Sequence, residues 1–239
     1  MSGHSKWSKV KHQKATTDAV KSRAFTHASR AITVAVREGG GISDPEKNFR
    51  LRLAVLKAHE VNMPKDTIER AISRALEGGG AVFENLLYEG YGPGGVAVLV
   101  ESATDNRQRT SSDIKHQFDR AGGSLASPGA VNYQFSRTGI LVVEKGGKTF
   151  DEFFADAVAA GADDVTEQTD MFEVFAPAEK TVMIKTYLTG HGWIVDNWEI
   201  IMRPKLPVSV SEELRMKNEA LSDALLELDD VQHVFTNLE

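Results

Sequence analysis

The chain has 239 residues, 41% of them hydrophobic and 26% charged, which is room for two or three folded domains and no sign of wholesale disorder. It contains no cysteine, so disulfides, thiolate-zinc sites, iron-sulfur clusters and cysteine nucleophiles are excluded within the monomer. The net charge of −6 argues against a polyanionic partner only on average: through residue 37, Lys6, Lys9, Lys11, Lys14, Lys21, Arg23, Arg30 and Arg37 stand against Asp18 alone, a net +7 that leaves −13 on the remainder.

In chain order, a polar, lysine-rich lead gives way to Ala24, Phe25, Ala28, Ala31, Ile32, Ala35 and Val36 at three- and four-residue steps. This spacing predicts an amphipathic helix that stops at Gly39-Gly40-Gly41. A second helix is expected to open at Ser43-Asp44-Pro45-Glu46, with Ser43 as cap, Glu46 completing a capping box, and Phe49, Leu53 and Leu56 as its apolar face beside Val55. A third runs from about Pro64, buries Ile68, Ala71, Ile72 and Ala75, and ends at Gly78-Gly79-Gly80. After residue 80 the spacing becomes that of strands and the charge changes sign, so a domain boundary is placed there. Val96 to Ala103 reads as a buried strand, Arg109 to Ala121 as a helix through Ile114 and Phe118, and Val131 to Phe135 as a strand.

The next stretch reads as strand Ile140 to Glu144, helix Phe150 to Ala160, strands near Val165 and from Met171 to Ala176, helix Glu179 to Gly190, and strand Trp193 to Met202. That βαββαβ order is ferredoxin-like. Because the flanking parts are incomplete alone, the unit is read as an insertion. Helix Ser211 to Leu228, with Leu214, Leu221, Leu225 and Leu228 on one side, and strand Val231 to Phe235 close the chain. The expected fold is therefore α+β in three domains: a helical bundle at 1–80, an α+β domain at 81–136 and 206–239, and a ferredoxin-like domain at 137–205. Apolar runs such as Val96 to Val100 are too short to cross a bilayer and no apolar signal segment opens the chain, so a cytoplasmic protein without a membrane partner is expected.

The string Gly3-His4-Ser5-Lys6-Trp7-Ser8-Lys9-Val10-Lys11-His12-Gln13-Lys14-Ala15 closely resembles the opening signature of the YebC/PmpR family. Met63 to Ile72, Tyr88 to Ala97, Thr104 to Thr110 and Asp229 to Asn237 resemble further motifs of that family, in the same order and over essentially the whole chain. The resemblance implies the three-domain architecture with an inserted ferredoxin-like domain. It also implies regulation of gene expression, by bacterial members as DNA-binding transcriptional regulators and by other members through translation on the ribosome.

The residues themselves point the same way. At 100° per residue Arg23, Arg30 and Arg37 fall on one helical line, roughly opposite Ala28, Ile32 and Ala35. Upstream, Lys6, Lys9, Lys11, His12 and Lys14 are dense, and Trp7 among them is either a stacking face for an exposed base or an anchor packed on the bundle. Together with Lys21 these are the candidate nucleic-acid contacts, suited to phosphates rather than to base edges. The partner is DNA or, alternatively, ribosomal RNA. Thr104 to Thr110 follows the end of a strand, and Asp105, Asn106, Arg107 and Arg109 form either a second functional surface or a capped turn.

Other motifs carry less. Gly90-Tyr91-Gly92-Pro93-Gly94-Gly95 satisfies G-x-G-x-x-G in form, but it precedes a strand where a dinucleotide site needs a following helix, and it is read as a tight turn between domains. Asp163-Asp164 and Asp229-Asp230 are read as solvated turns. No H-x-x-x-H pair, P-loop or nucleophile elbow occurs, so neither catalysis, a metal, a cofactor nor a small-molecule substrate is expected.

Overall fold

The computed structural model describes residues 18–77 and 83–239. Helix α1 (Asp18–Glu38) buries Ile32, Ala35 and Val36 among residues of α2 (Phe49–Glu60) and α3 (Lys65–Glu77). It stops where expected, because Gly40 and Gly41 adopt φ of +74° and +78°, a region that penalises any Cβ. In α3, Ile68, Ala71 and Ala75 are buried and Ile72 packs beside them; the expected stop at Gly78 to Gly80 lies outside the described residues.

The second helix departs from expectation. Its cap is Asn48, not Ser43: the Asn48 carboxamide oxygen accepts the Leu51 N–H at 3.1 Å, while its NH2 donates to the carbonyls of Ala35 at 2.9 Å and Ile42 at 3.0 Å. A serine hydroxyl cannot satisfy three backbone groups in this way. The Glu46 N–H is held by the Asp44 carboxylate at 3.0 Å, so no capping box forms. Starting the helix at Phe49 turns Leu51, Ala54, Val55 and Ala58 toward the core and leaves Phe49 exposed, with Leu53 and Leu56 only half-buried.

Beyond residue 83 come β1 (Glu84–Tyr91), β2 (Ala97–Thr104), α4 (Arg107–Ala121), β3 (Ser124–Ala126), β4 (Phe135–Glu144), α5 (Phe150–Ala160), β5 (Asp164–Glu167), β6 (Met171–Pro177), α6 (Thr181–Gly190), β7 (Val195–Pro204), α7 (Glu212–Leu226) and β8 (Val231–Thr236). One antiparallel sheet has the order β3-β1-β2-β8, the other β5-β6-β4-β7. The chain divides into two units, one comprising Met1–Asn132 with Pro207–Glu239 and the other Tyr133–Leu206.

In the first unit α4 and α7 pack on one face of the sheet, around Val98, Val100, Ile114, Phe118, Leu221 and Leu225. The strand β1 escapes sequence reading because Glu84, Leu86, Leu87 and Glu89 do not alternate cleanly. It pairs with β2 from Glu84↔Thr104 to Tyr91↔Ala97, so the glycine run is a hairpin turn inside this sheet rather than a turn between domains. Gly92 N–H closes it on the Val96 carbonyl at 2.8 Å, and a Cβ on Gly90 would stand 2.5 Å from the Phe118 ring. Close packing accounts for Gly90 and Gly92, and a left-handed backbone for Gly94 and Gly95.

The second unit is α+β with the ferredoxin-like order β4-α5-β5-β6-α6-β7. Phe153 of α5 stacks on Phe172 of β6 at 4.4 Å between centroids, and Gly139 leaves the space that Thr181 of α6 fills. The expected strand Val131 to Phe135 does not form. Only Phe135 enters β4, while Asn132–Gln134 make a 3-10 turn, because the Val131 and Asn132 amides are held by a buried Glu89 carboxylate instead of a sheet neighbour. Among the described residues no helix is long and apolar enough to cross a membrane.

Candidate nucleic-acid interface

Lys6, Trp7, Lys9, Lys11, His12 and Lys14 lie outside the described residues, as do the side chains of Lys21 and Arg23 on α1. For Arg30 and Arg37 the shared side follows from the seven-residue step, but around Arg30 that side is covered by the protein. α1 touches β2, and Val34, one turn from Arg30, is buried. Arg37 is half-buried and has a partner within the protein.

Arg30 is committed internally. Its guanidinium lies 3.0 Å from the Asp230 carboxylate, donates to the Asp229 carbonyl, and sits 5.3 Å over the Phe83 ring. Its side chain is 16% exposed. Periodicity detected one buried stripe on α1; the second exists only because a strand from far along the chain packs against it.

Asp230, read from sequence as part of a solvated turn, is instead the centre of this arrangement. Its residue is 6% exposed. The Arg109 guanidinium donates to one carboxylate oxygen at 2.7 Å, the Thr110 hydroxyl donates to the same oxygen at 2.7 Å, and the Thr104 hydroxyl stands 3.3 Å away. The Asp230 carbonyl accepts the Ala103 N–H at 2.8 Å. Burial by itself would raise the Asp230 pKa; the hydrogen bonds from Arg109 and Thr110 and the charges of Arg30 and Arg109 outweigh it and hold the carboxyl below its ordinary range.

This centre also decides much of the Thr104 to Thr110 stretch. Asn106 caps α4 by accepting the Arg109 N–H at 3.1 Å, and its own N–H goes to the Thr104 hydroxyl at 2.9 Å. Arg109 bridges Asp105 at 2.9 Å and Asp230 at 2.7 Å. Asp105, Asn106 and Arg109 are therefore engaged in holding the strand-to-helix turn, whereas Arg107 is exposed and its guanidinium makes no hydrogen bond or ion pair among the described residues.

Glu89 is a second buried carboxylate that sequence reading passed over. It accepts the backbone N–H groups of Gly129, Val131 and Asn132 at 2.6, 2.7 and 2.8 Å. Burial pushes its pKa up, but these three donors push it further down. No local pattern marks either residue, since the partners of Asp230 are more than a hundred positions away and those of Glu89 about forty. Among the described residues no three metal-ligating side chains come together.

Comparison with known proteins places these features. Residues 5–78 match the profile described as the TACO1/YebC protein N-terminal domain, and residues 83–238 the profile described as the TACO1/YebC second and third domain. A protein of Dehalococcoides mccartyi named as a probable transcriptional regulatory protein is 45% identical over 240 residues, covering 100% of this chain and 95% of the relative. One of the same description from Pelotomaculum thermopropionicum is 44% identical, covering 100% and 99%. The crystal structure of a conserved hypothetical protein from Aquifex aeolicus matches with a TM-score of 0.86 at 39% identity, over 98% of this chain and 96% of that one. With both profiles matched in order and identity above 40% over the full length, the chain belongs to the TACO1/YebC family, the YebC/PmpR family that its opening residues resemble.

Proposed function

We propose that this chain is a nucleic-acid-binding regulator of gene expression, acting on transcription through DNA, in the cytoplasm, without a catalytic step or a cofactor. The observation that carries the reading is the division of charge, +7 through residue 37 against −13 beyond it. A cationic segment on an anionic body draws phosphates to one end and keeps them off the other. The names of the relatives, which describe probable transcriptional regulators rather than enzymes, support the same class.

The phosphate-binding set is Lys6, Lys9, Lys11, His12, Lys14, Lys21 and Arg23, with Trp7 offering a ring to an exposed base. Arg30 is left out of it because Asp230 holds its charge; its role is to fix α1, and with it the basic segment, to the sheet. In this reading 1–80 is the nucleic-acid-binding domain, 81–136 with 206–239 the body, and 137–205 the inserted domain.

A mobility-shift titration on duplex DNA over a salt series tests the proposal. Binding should weaken steeply with salt, and changing Lys6, Lys9, Lys11 and Lys14 to Gln should flatten the logarithmic salt slope by about 3 to 4. Affinity that ignores salt, or survives the fourfold change, would refute electrostatic docking. Ribonuclease-sensitive co-sedimentation with ribosomal particles, with no shift of duplex DNA, would move the level of action from transcription to translation.

A further inference from the structure

β3 pairs with β1 only at Glu89, Gly90 and Tyr91. From Glu84 to Tyr88 the strand is bonded to β2 on one side and, among the described residues, has no strand on the other. Alternate N–H and C=O groups there point away from β2, and none has a backbone partner on that side among the described residues. Sheet edges are ordinarily protected by lysine, proline, a bulge or a covering segment. Residues 84–88 contain neither lysine nor proline, their register with β2 is uninterrupted, and Leu87 is 37% exposed.

Beside this edge lies a pocket of about 190 Å³ whose lining includes Leu86, Tyr88, Arg107, Leu125 and Pro128, and also Glu89, whose carboxylate is taken up by three backbone amides. The Tyr88 hydroxyl donates to the Arg107 carbonyl at 3.3 Å, which lays its ring along the wall. Small-molecule sites run to roughly 300–1,000 Å³, so the pocket suits one side chain rather than a cofactor. Arg107 brings to its rim a cation with no ion-pair partner among the described residues, although Arg109, two residues on, is neutralised by Asp105 and Asp230.

We propose that the Glu84–Tyr88 edge takes up an extended peptide as an added strand, antiparallel to β1 and in line with β3, with one apolar side chain in the pocket and a carboxylate on Arg107. The open amide ladder selects a polypeptide, since a nucleic-acid strand has no matching alternation of donors and acceptors. The unpaired guanidinium selects an acidic one. The site is separate from the N-terminal cations, and its occupation leaves them free.

The test uses the full-length protein and a set of fluorescein-labelled heptapeptides that alternate Thr with Val, Leu or Phe and carry one Glu at each position in turn. At least one member should bind by anisotropy and protect the amides of 84–88 from hydrogen exchange. R107A should weaken that member about three- to tenfold and leave its Gln counterpart nearly unchanged. N-methylation of alternate peptide amides should abolish binding. The proposal is overturned if no member binds below about 1 mM, if N-methylated peptides bind equally, or if R107A, folded by circular dichroism, changes nothing. It is equally overturned if protection of 84–88 rises with protein concentration alone, which makes a second copy the occupant, or if an oligothymidylate displaces the peptide competitively.

Discussion

At the scale of single residues, two buried carboxylates govern the first unit by opposite means, Asp230 through charged partners and Glu89 through backbone amides. Removing the charge of Asp230 leaves Arg30 in a mostly buried site without its counter-ion. We expect D230N to lower the unfolding free energy by about 3 kcal/mol, measured by urea denaturation at neutral pH. E89Q replaces an acceptor of three amides by a group with one oxygen, and about 1–3 kcal/mol should be lost, with faster hydrogen exchange at Gly129, Val131 and Asn132. Both carboxyls have folded-state pKa values below their ordinary ones. Each therefore adds stability that is fully present above the unfolded-state pKa, near 4, and is lost as pH falls through the lower folded-state value. The urea midpoint should drop between about pH 5 and pH 2, and the drop should shrink in D230N and in E89Q.

At the scale of elements, the junction between α1 and α2 rests on one side chain. Asn48 caps α2 and binds the Ala35 and Ile42 carbonyls, so it ends one helix and begins the next. N48A should cost about 2–3 kcal/mol, more than an ordinary cap, because two buried carbonyls lose their donor as well. N48D keeps the cap acceptor and loses the donors, so it should fall between wild type and N48A in a thermal melt. The hairpin between β1 and β2 depends in the same way on space. G90A forces a methyl group into the Phe118 ring, and we expect a loss of about 1–3 kcal/mol, read by chemical denaturation.

At the scale of the whole molecule, the ends of the 133–206 unit emerge side by side, since Phe135 of β4 pairs with Pro204 of β7. An insertion with adjacent ends can be exchanged for a short turn without stretching its host. Replacing Tyr133–Leu206 by a brief Gly/Ser linker should leave the first unit folded, with its amide spectrum largely retained, and a collapse of that spectrum would contradict the division.

What the sequence determined alone was whatever depends on neighbours within a turn or two. The existence and order of α1, α2 and α3, the βαββαβ order, the glycine stop after Glu38 and the segregation of charge were readable, because periodicity, glycine stops and composition are local quantities, whereas the cap and buried face of α2 were not. Tertiary structure decided the rest. Whether Arg30 of the α1 arginine line faces water or the protein, whether an aspartate before β8 is solvated or the centre of a buried ion pair, and whether Arg109 is free for a ligand or held by that aspartate all depend on partners more than a hundred residues away. Burial and pairing are properties of that assembled neighbourhood, and no window along the chain contains it.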